Sequence, residues 1–142
     1  MDEITRLSIF YECQRLTALY CHYIDHGEAS RIADLFSVDG ICKVGGEHQG
    51  RDQIRKAFRF REENKGRISR HVCNNFVMNS VSDTEASGTV YLTLYRSDGP
   101  EDRKIAELEG PVVVGEYRDK YVKTSEGWRF SYREVEASFV KT

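Results

Sequence analysis

Several absences narrow what this chain can be. No apolar run approaches the roughly 20 residues that a bilayer span requires, so no membrane helix is expected. The opening residues, MDEITRLS, are acidic and carry no apolar signal core, which predicts a cytoplasmic protein. None of the four cysteines, Cys13, Cys21, Cys42 and Cys73, stands in a CxxC pair. They are expected to stay reduced and to behave as small apolar side chains. There is no HExxH, and His22 and His26 have no third ligand in view, so no metal is expected. Gly45-Gly46 lies outside any phosphate-loop context. The net charge of −2 offers no field for nucleic acid. No repeat, low-complexity tract or second domain is visible.

What is present is ordinary in bulk and uneven in detail. At 142 residues, with 39% apolar and 31% charged, the chain suits one soluble domain with a single core. Residues 51–70 hold eight Lys/Arg against three Asp/Glu, a surplus of five on a chain of net −2. A basic helix there reads as a solvated face, or as a surface for a neighbouring subunit or an anionic ligand.

The first half is helical in grammar. Ile9, Cys13, Leu16, Tyr20 and Tyr23 recur every three or four positions and predict a helix over 2–24, which Gly27 stops. A second helix is expected over Glu28–Phe36, a short strand over Ile41–Val44, a loop through GGEHQG, and a third helix from Arg51 with Ile54, Ala57 and Phe58 inward. After Gly66 four strands are predicted, at 68–81, 85–96, 111–124 and 128–140, joined by short turns except for the polar stretch 97–110. The pattern is α+β: three N-terminal helices on a strongly curved, mostly antiparallel sheet, forming a cone-shaped barrel that encloses a small-molecule pocket.

Two residues could carry chemistry together. Asp25 sits where the first helix breaks, and His71 opens the first long strand. A carboxylate beside a histidine fixes the imidazole tautomer and frees the other nitrogen as a general base. Each also has a plain reading, Asp25 as a helix-end group making turn contacts and His71 as a polar residue on a half-exposed strand. Strict alternation puts His71, Cys73, Asn75 and Val77 on one face. Tyr20 lies on the apolar stripe, where its hydroxyl needs a partner. On the last strand Arg133 falls opposite Trp128, Phe130 and Tyr132, and reads as a surface arginine or an anion ligand.

The order Tyr20, Asp25, Gly27, Leu35-Phe36, Asp39-Gly40, Gly50, Ile54, His71, then Gly115, Tyr117, Asp119, Tyr121 and Gly127-Trp128 resembles the SnoaL-like family of the nuclear transport factor 2-like superfamily. The resemblance spans nearly the whole chain and speaks more to fold than to function. In scytalone dehydratase, bile-acid 7α-dehydratase and hexachlorocyclohexane dehydrochlorinase an Asp–His pair occupies the positions of Asp25 and His71. The bile-acid enzyme places a tyrosine at the position of Tyr20, where the dehydrochlorinase has lysine. The dehydrochlorinase places an arginine at the position of Arg133.

The resemblance implies a cofactor-independent lyase that eliminates water or halide from a small apolar cyclic substrate. Asp25, His71, Tyr20 and Arg133 would be catalytic, and Tyr23, Phe58, Asn75, Val113 and Tyr117 would contact the ligand. A non-catalytic ligand-binding or oxygenase small-subunit-like domain is the alternative, and an isomerase or polyketide cyclase using the same pair is another. A homodimer or homotrimer is expected through the outer sheet face, with Trp128, Phe130 and Tyr132 as interface aromatics.

Overall fold

The computed structural model describes residues 1–142. Helix α1 spans Glu3–Asp25 and begins on Asp2, whose carboxylate accepts the Thr5 amide at 2.7 Å. Its buried stripe, Ile9, Cys13, Leu16, Tyr20 and Ile24, has helical spacing and faces the sheet. At its end Gly27 takes φ +79°, and the Glu28 amide donates to the Tyr23 carbonyl at 2.9 Å. This is a Schellman closure, which needs a left-handed residue at that point.

The next segment is a 3₁₀ helix over Ala29–Leu35 rather than the α-helix expected over Glu28–Phe36. Its buried Ala29, Ile32 and Leu35 are spaced by three, the period of a 3₁₀ helix. Strand β1 then runs from Phe36 to Lys43, five residues earlier than expected from sequence. The GGEHQG loop contains a short strand, β2, at Glu47–Gln49. Helix α2 covers Arg51–Glu63 and buries Ile54 and Phe58.

Four long strands follow, β3 (Arg67–Val81), β4 (Glu85–Asp98), β5 (Val113–Thr124) and β6 (Gly127–Val140). One six-stranded sheet results, in the order β2-β1-β6-β5-β4-β3. Every pairing is antiparallel except β1 with β6, which is parallel. The expected barrel is therefore not closed: β2 and β3 remain as edges. The three helical segments pack on the sheet, and the core lies between them.

Bulges decide which side chains point inward. In β3 the register shifts between Asn74 and Val77, and Asn75 takes φ +59°. The phase flips there. Phe76 and Met78 join His71 and Cys73 on the inner side, while Asn75 and Val77 are exposed. In β6 the register shifts where Lys120 and Tyr121 pair with Tyr132 and Phe130, leaving Ser131 over. Trp128 and Phe130 before that bulge and Arg133 after it are therefore all buried. This corrects the reading of Trp128 and Phe130 as outward-facing interface aromatics. Tyr132 alone is partly exposed, with Lys43 and Lys120 near its ring.

Asn75 is the most direct test of this phase change. Asn75→Gly should fold with wild-type stability to within about 0.5 kcal/mol, whereas Asn75→Val, β-branched at positive φ, should lose about 1–3 kcal/mol in urea unfolding. Equal stability of the two variants would contradict the assigned bulge.

Candidate active site

The geometry starts from where α1 ends. A carboxylate at a helix C-terminus faces the negative end of the macrodipole, which costs some tenths of a kcal/mol to about 1 kcal/mol. Asp25 offsets this by accepting three hydrogen bonds from β3. The His71 ring donates from Nδ1 to Oδ1 at 2.7 Å, the Ser69 hydroxyl donates to the same oxygen at 2.8 Å, and the His71 amide donates to Oδ2 at 2.7 Å. A carboxylate can only accept, so the proton of a neutral His71 ring resides on Nδ1 and its Nε2 carries a free lone pair. The side chains of His71 and Asp25 are 8% and 4% exposed, which leaves little water to compete.

One more donor stands behind this group. Arg61, in the last turn of α2, donates from Nη2 to the Ser69 Oγ at 3.1 Å. Elements far apart in sequence thus meet on one carboxylate, with α1 supplying it and β3 and α2 ordering it. Burial alone would raise the Asp25 carboxyl. The bonds from the His71 ring, the His71 amide and Ser69 outweigh burial and hold it below its ordinary value of 3.8.

Beside His71 lies a cavity of about 550 Å³, lined by 18 residues of which 11 are hydrophobic. That volume suits a compact organic molecule. Phe58 from α2, Leu92 and Leu94 from β4, and Val113, Tyr117 and Val135 from β5 and β6 form its apolar walls. Ser69 and His71 reach it from β3, Gly45 from the β1–β2 connection and His48 from β2.

Of the residues singled out from sequence, His71, Phe58, Val113 and Tyr117 line the cavity, and Asp25 stands behind His71. Tyr23 does not line it. The turn at Gly27 brings Arg31 back over its ring, with the guanidinium 4.4 Å from the ring centre. Asn75 is on the exposed bulge and borders a separate groove between α1 and β3. Tyr20 is wholly buried, with Phe58 and Tyr117 packed edge-on against its ring at 5.8 and 5.6 Å. Its hydroxyl makes no hydrogen bond. Burial first, then the neighbouring Tyr117, push that hydroxyl's pKa well up, so it stays protonated.

Arg133 is also wholly buried. It donates from Nε and Nη2 to Asp119 at 2.8 and 2.9 Å and from Nη2 to Thr17 Oγ1 at 2.7 Å. Its guanidinium lies 3.9 Å from the Tyr117 ring, 4.4 Å from Phe130 and 4.5 Å from Tyr20. Neither Tyr20 nor Arg133 lines the cavity; both back the wall that Tyr117 forms.

Sequence reading missed Ser69, Arg61 and the β4 wall. Ser69 was within reach, being two residues before His71 on one strand face. Arg61 was not, because its contact depends on how α2 docks. The β4 partners needed the bulges: extrapolating the pairing of Val81 with Ala86 next to the turn would set Ser69 opposite Asp98, whereas it pairs with Arg96.

With this geometry in view, the comparisons identify the class. The model of the SnoaL-like domain family matches residues 5–134, and the chain belongs to that family. No curated protein matches it in sequence. Among solved structures it is similar to a proposed scytalone dehydratase from Novosphingobium aromaticivorans, at 22% identity and TM-score 0.82, covering 99% of this chain and 91% of that one. It is similar to a type 2 hexachlorocyclohexane dehydrochlorinase, LinA, at 14% identity and TM-score 0.79, covering 99% and 92%. A third is ActVI-ORFA from Streptomyces coelicolor, at 15% identity and TM-score 0.76, covering 96% and 99%. At these identities the likeness is one of fold.

Two outcomes follow from the site. Asp25 has a lowered pKa when folded, so its contribution to stability is present above the unfolded value near 3.8 and is lost as pH falls through the folded one. Asp25→Asn should therefore flatten the acid limb of a stability-versus-pH curve below about pH 4; an unchanged limb would contradict the bonding described. Arg133→Leu leaves Asp119 buried without its partner and should cost about 3–5 kcal/mol in denaturant unfolding. Restoring part of that loss with Asp119→Leu on top would show that the charge pair, and not packing alone, is responsible.

Proposed function

We propose that this protein is a cofactor-independent lyase that eliminates water or halide from a small, mostly apolar cyclic substrate. The observation that carries the reading is the 2.7 Å bond from His71 Nδ1 to Asp25, with His71 on the wall of an apolar cavity. A buried carboxylate holding a cavity histidine by both ring and amide is the arrangement a general base needs.

In the reaction, Nε2 of His71 takes a proton from a ring carbon. The C–H electron pair becomes the new C=C bond, and the adjacent carbon–oxygen or carbon–halogen bond breaks with its electrons on the leaving group. The resulting imidazolium is stabilised by Asp25. It returns its proton to departing hydroxide, giving water, or to solvent when halide leaves. Tyr117, as the phenol on the cavity wall, is the donor best placed to polarise a substrate carbonyl. Tyr20 and Arg133, catalytic candidates by resemblance, act in this reading as positioning residues behind Tyr117.

A cyclase or isomerase built on the same pair would share the proton abstraction and differ in what leaves. Mass-spectrometric product analysis of hydroxylated, ketone-bearing and chlorinated ring compounds separates them: elimination loses water or hydrogen halide, and isomerisation leaves the mass unchanged. With any substrate so found, His71→Ala should lower kcat by about 10²–10⁴-fold. Turnover unaffected by His71→Ala would remove the lyase reading, and with it the cyclase and isomerase.

A further inference from the structure

The cavity lining contains three arginines, Arg61, Arg67 and Arg96, and no carboxylate. They form one group. Arg67 and Ser69 lie on the same face of β3, and Ser69 pairs across the strands with Arg96 on β4. Arg61 reaches the same serine from α2 at 3.1 Å. Arg96 is exposed and the other two partly so, which marks this as the cavity rim.

The charges do not cancel. Arg67 is answered by Asp98, which accepts from its Nε and Nη2 at 2.7 and 2.9 Å. The Arg61 guanidinium meets only the Ser69 hydroxyl and the Asn64 carbonyl, and Arg96 takes no carboxylate of its own. Asp25, bonded to Ser69, compensates one further charge from behind. With a neutral His71, the rim retains one positive charge. Consistent with this crowding, burial and then the neighbouring Arg67 lower the Arg61 pKa.

We infer that the ligand is an apolar ring compound bearing one carboxylate, which Arg61 and Arg96 bind at the rim while the ring body lies against the apolar walls. This names the substrate class for the proposed lyase and rests on that reading for the chemistry, though not for the binding. A guanidinium fork matches a carboxylate better than it matches a neutral oxygen. The spacing is informative as well. Ser69 and His71 are two residues apart on one strand face, so the carboxylate would sit about 7 Å from the base. A substrate in which one ring separates the carboxylate from the carbon that loses its proton meets that distance.

The test uses the intact protein and matched neutral and acidic probes. Calorimetry with 2-naphthoic acid, cyclohexanecarboxylic acid and a steroid carboxylic acid, each beside its primary amide, should give at least about tenfold tighter binding for the acid with one or more scaffolds. Arg96→Gln, at an exposed position, should fold normally and reduce that preference to about threefold or less. Raising salt should also weaken it, since the rim is open to solvent. Arg118→Gln, an arginine on β5 that pairs with Glu116 and Glu136, should leave it unchanged. Equal binding of acid and amide would overturn the inference. So would a preference that survives both Arg96→Gln and Arg61→Gln, or failure of all three acids to bind at millimolar concentration. The same titrations on His71→Ala keep the two claims apart. An acid preference retained with no change in turnover would leave the anion subsite standing and remove the lyase. Lost turnover with no acid preference would do the reverse.

Discussion

The site depends on one carboxylate. Asp25 sits at the end of a 23-residue helix, and both its oxygens are bonded to β3. The helix dipole alone would make this a poor place for a negative charge. Three donors in a nearly dry setting reverse that balance, and in doing so they set the His71 tautomer, dock the end of α1 on β3 and order Ser69 and Arg61 around the cavity. One contact therefore serves the fold and the site together. Cys21, one helical turn before Asp25, touches Cys73 on the same strand at an Sγ–Sγ distance of 3.6 Å, so helix and strand are already in register there.

A buried ion pair deeper in the core performs a different task. Arg133 and Asp119 are wholly enclosed, and the guanidinium is stacked among Tyr20, Tyr117 and Phe130. Such a pair gives up solvation on both charges and is favourable only with near-complete bonding. Here four hydrogen bonds join Arg133, Asp119, Thr17 and Tyr121, and in this cluster only Arg133 Nη1 and the Tyr20 hydroxyl remain without a partner. The arrangement fixes the ring of Tyr117, which faces the cavity. The arginine thus lies behind the wall and not in the cavity itself.

Much of the architecture was legible because its signals are local. Helical spacing in α1, the glycine at 27 and the short turns between the long strands each specify structure within a few residues. Asp25 and His71 were legible as neighbours by resemblance, because one marks a helix end and the other a strand start. Side-chain direction was less so. A single extra residue at Asn75 and another at Ser131 each invert the facing of the positions that follow, up to the next register shift on that strand, and nothing in the alternation itself announces either. For that reason Asn75 was expected in the pocket, and Trp128 and Phe130 on the outside. The rim arginines were visible only as a basic stretch, since their convergence on Ser69 depends on helix docking and on two register shifts in β3.

The claim beneath all of this is that His71 presents an unprotonated Nε2 to the cavity because Asp25 holds the proton on Nδ1. Nitrogen-15 NMR of the histidine side chains, at a pH where the rings are neutral, reads that directly. The account predicts an N–H at Nδ1 of His71 with its proton shifted downfield, a pyridine-like Nε2, and loss of this signature in Asp25→Asn. A His71 ring that carries its proton on Nε2, or that samples both tautomers as a free imidazole does, would contradict it.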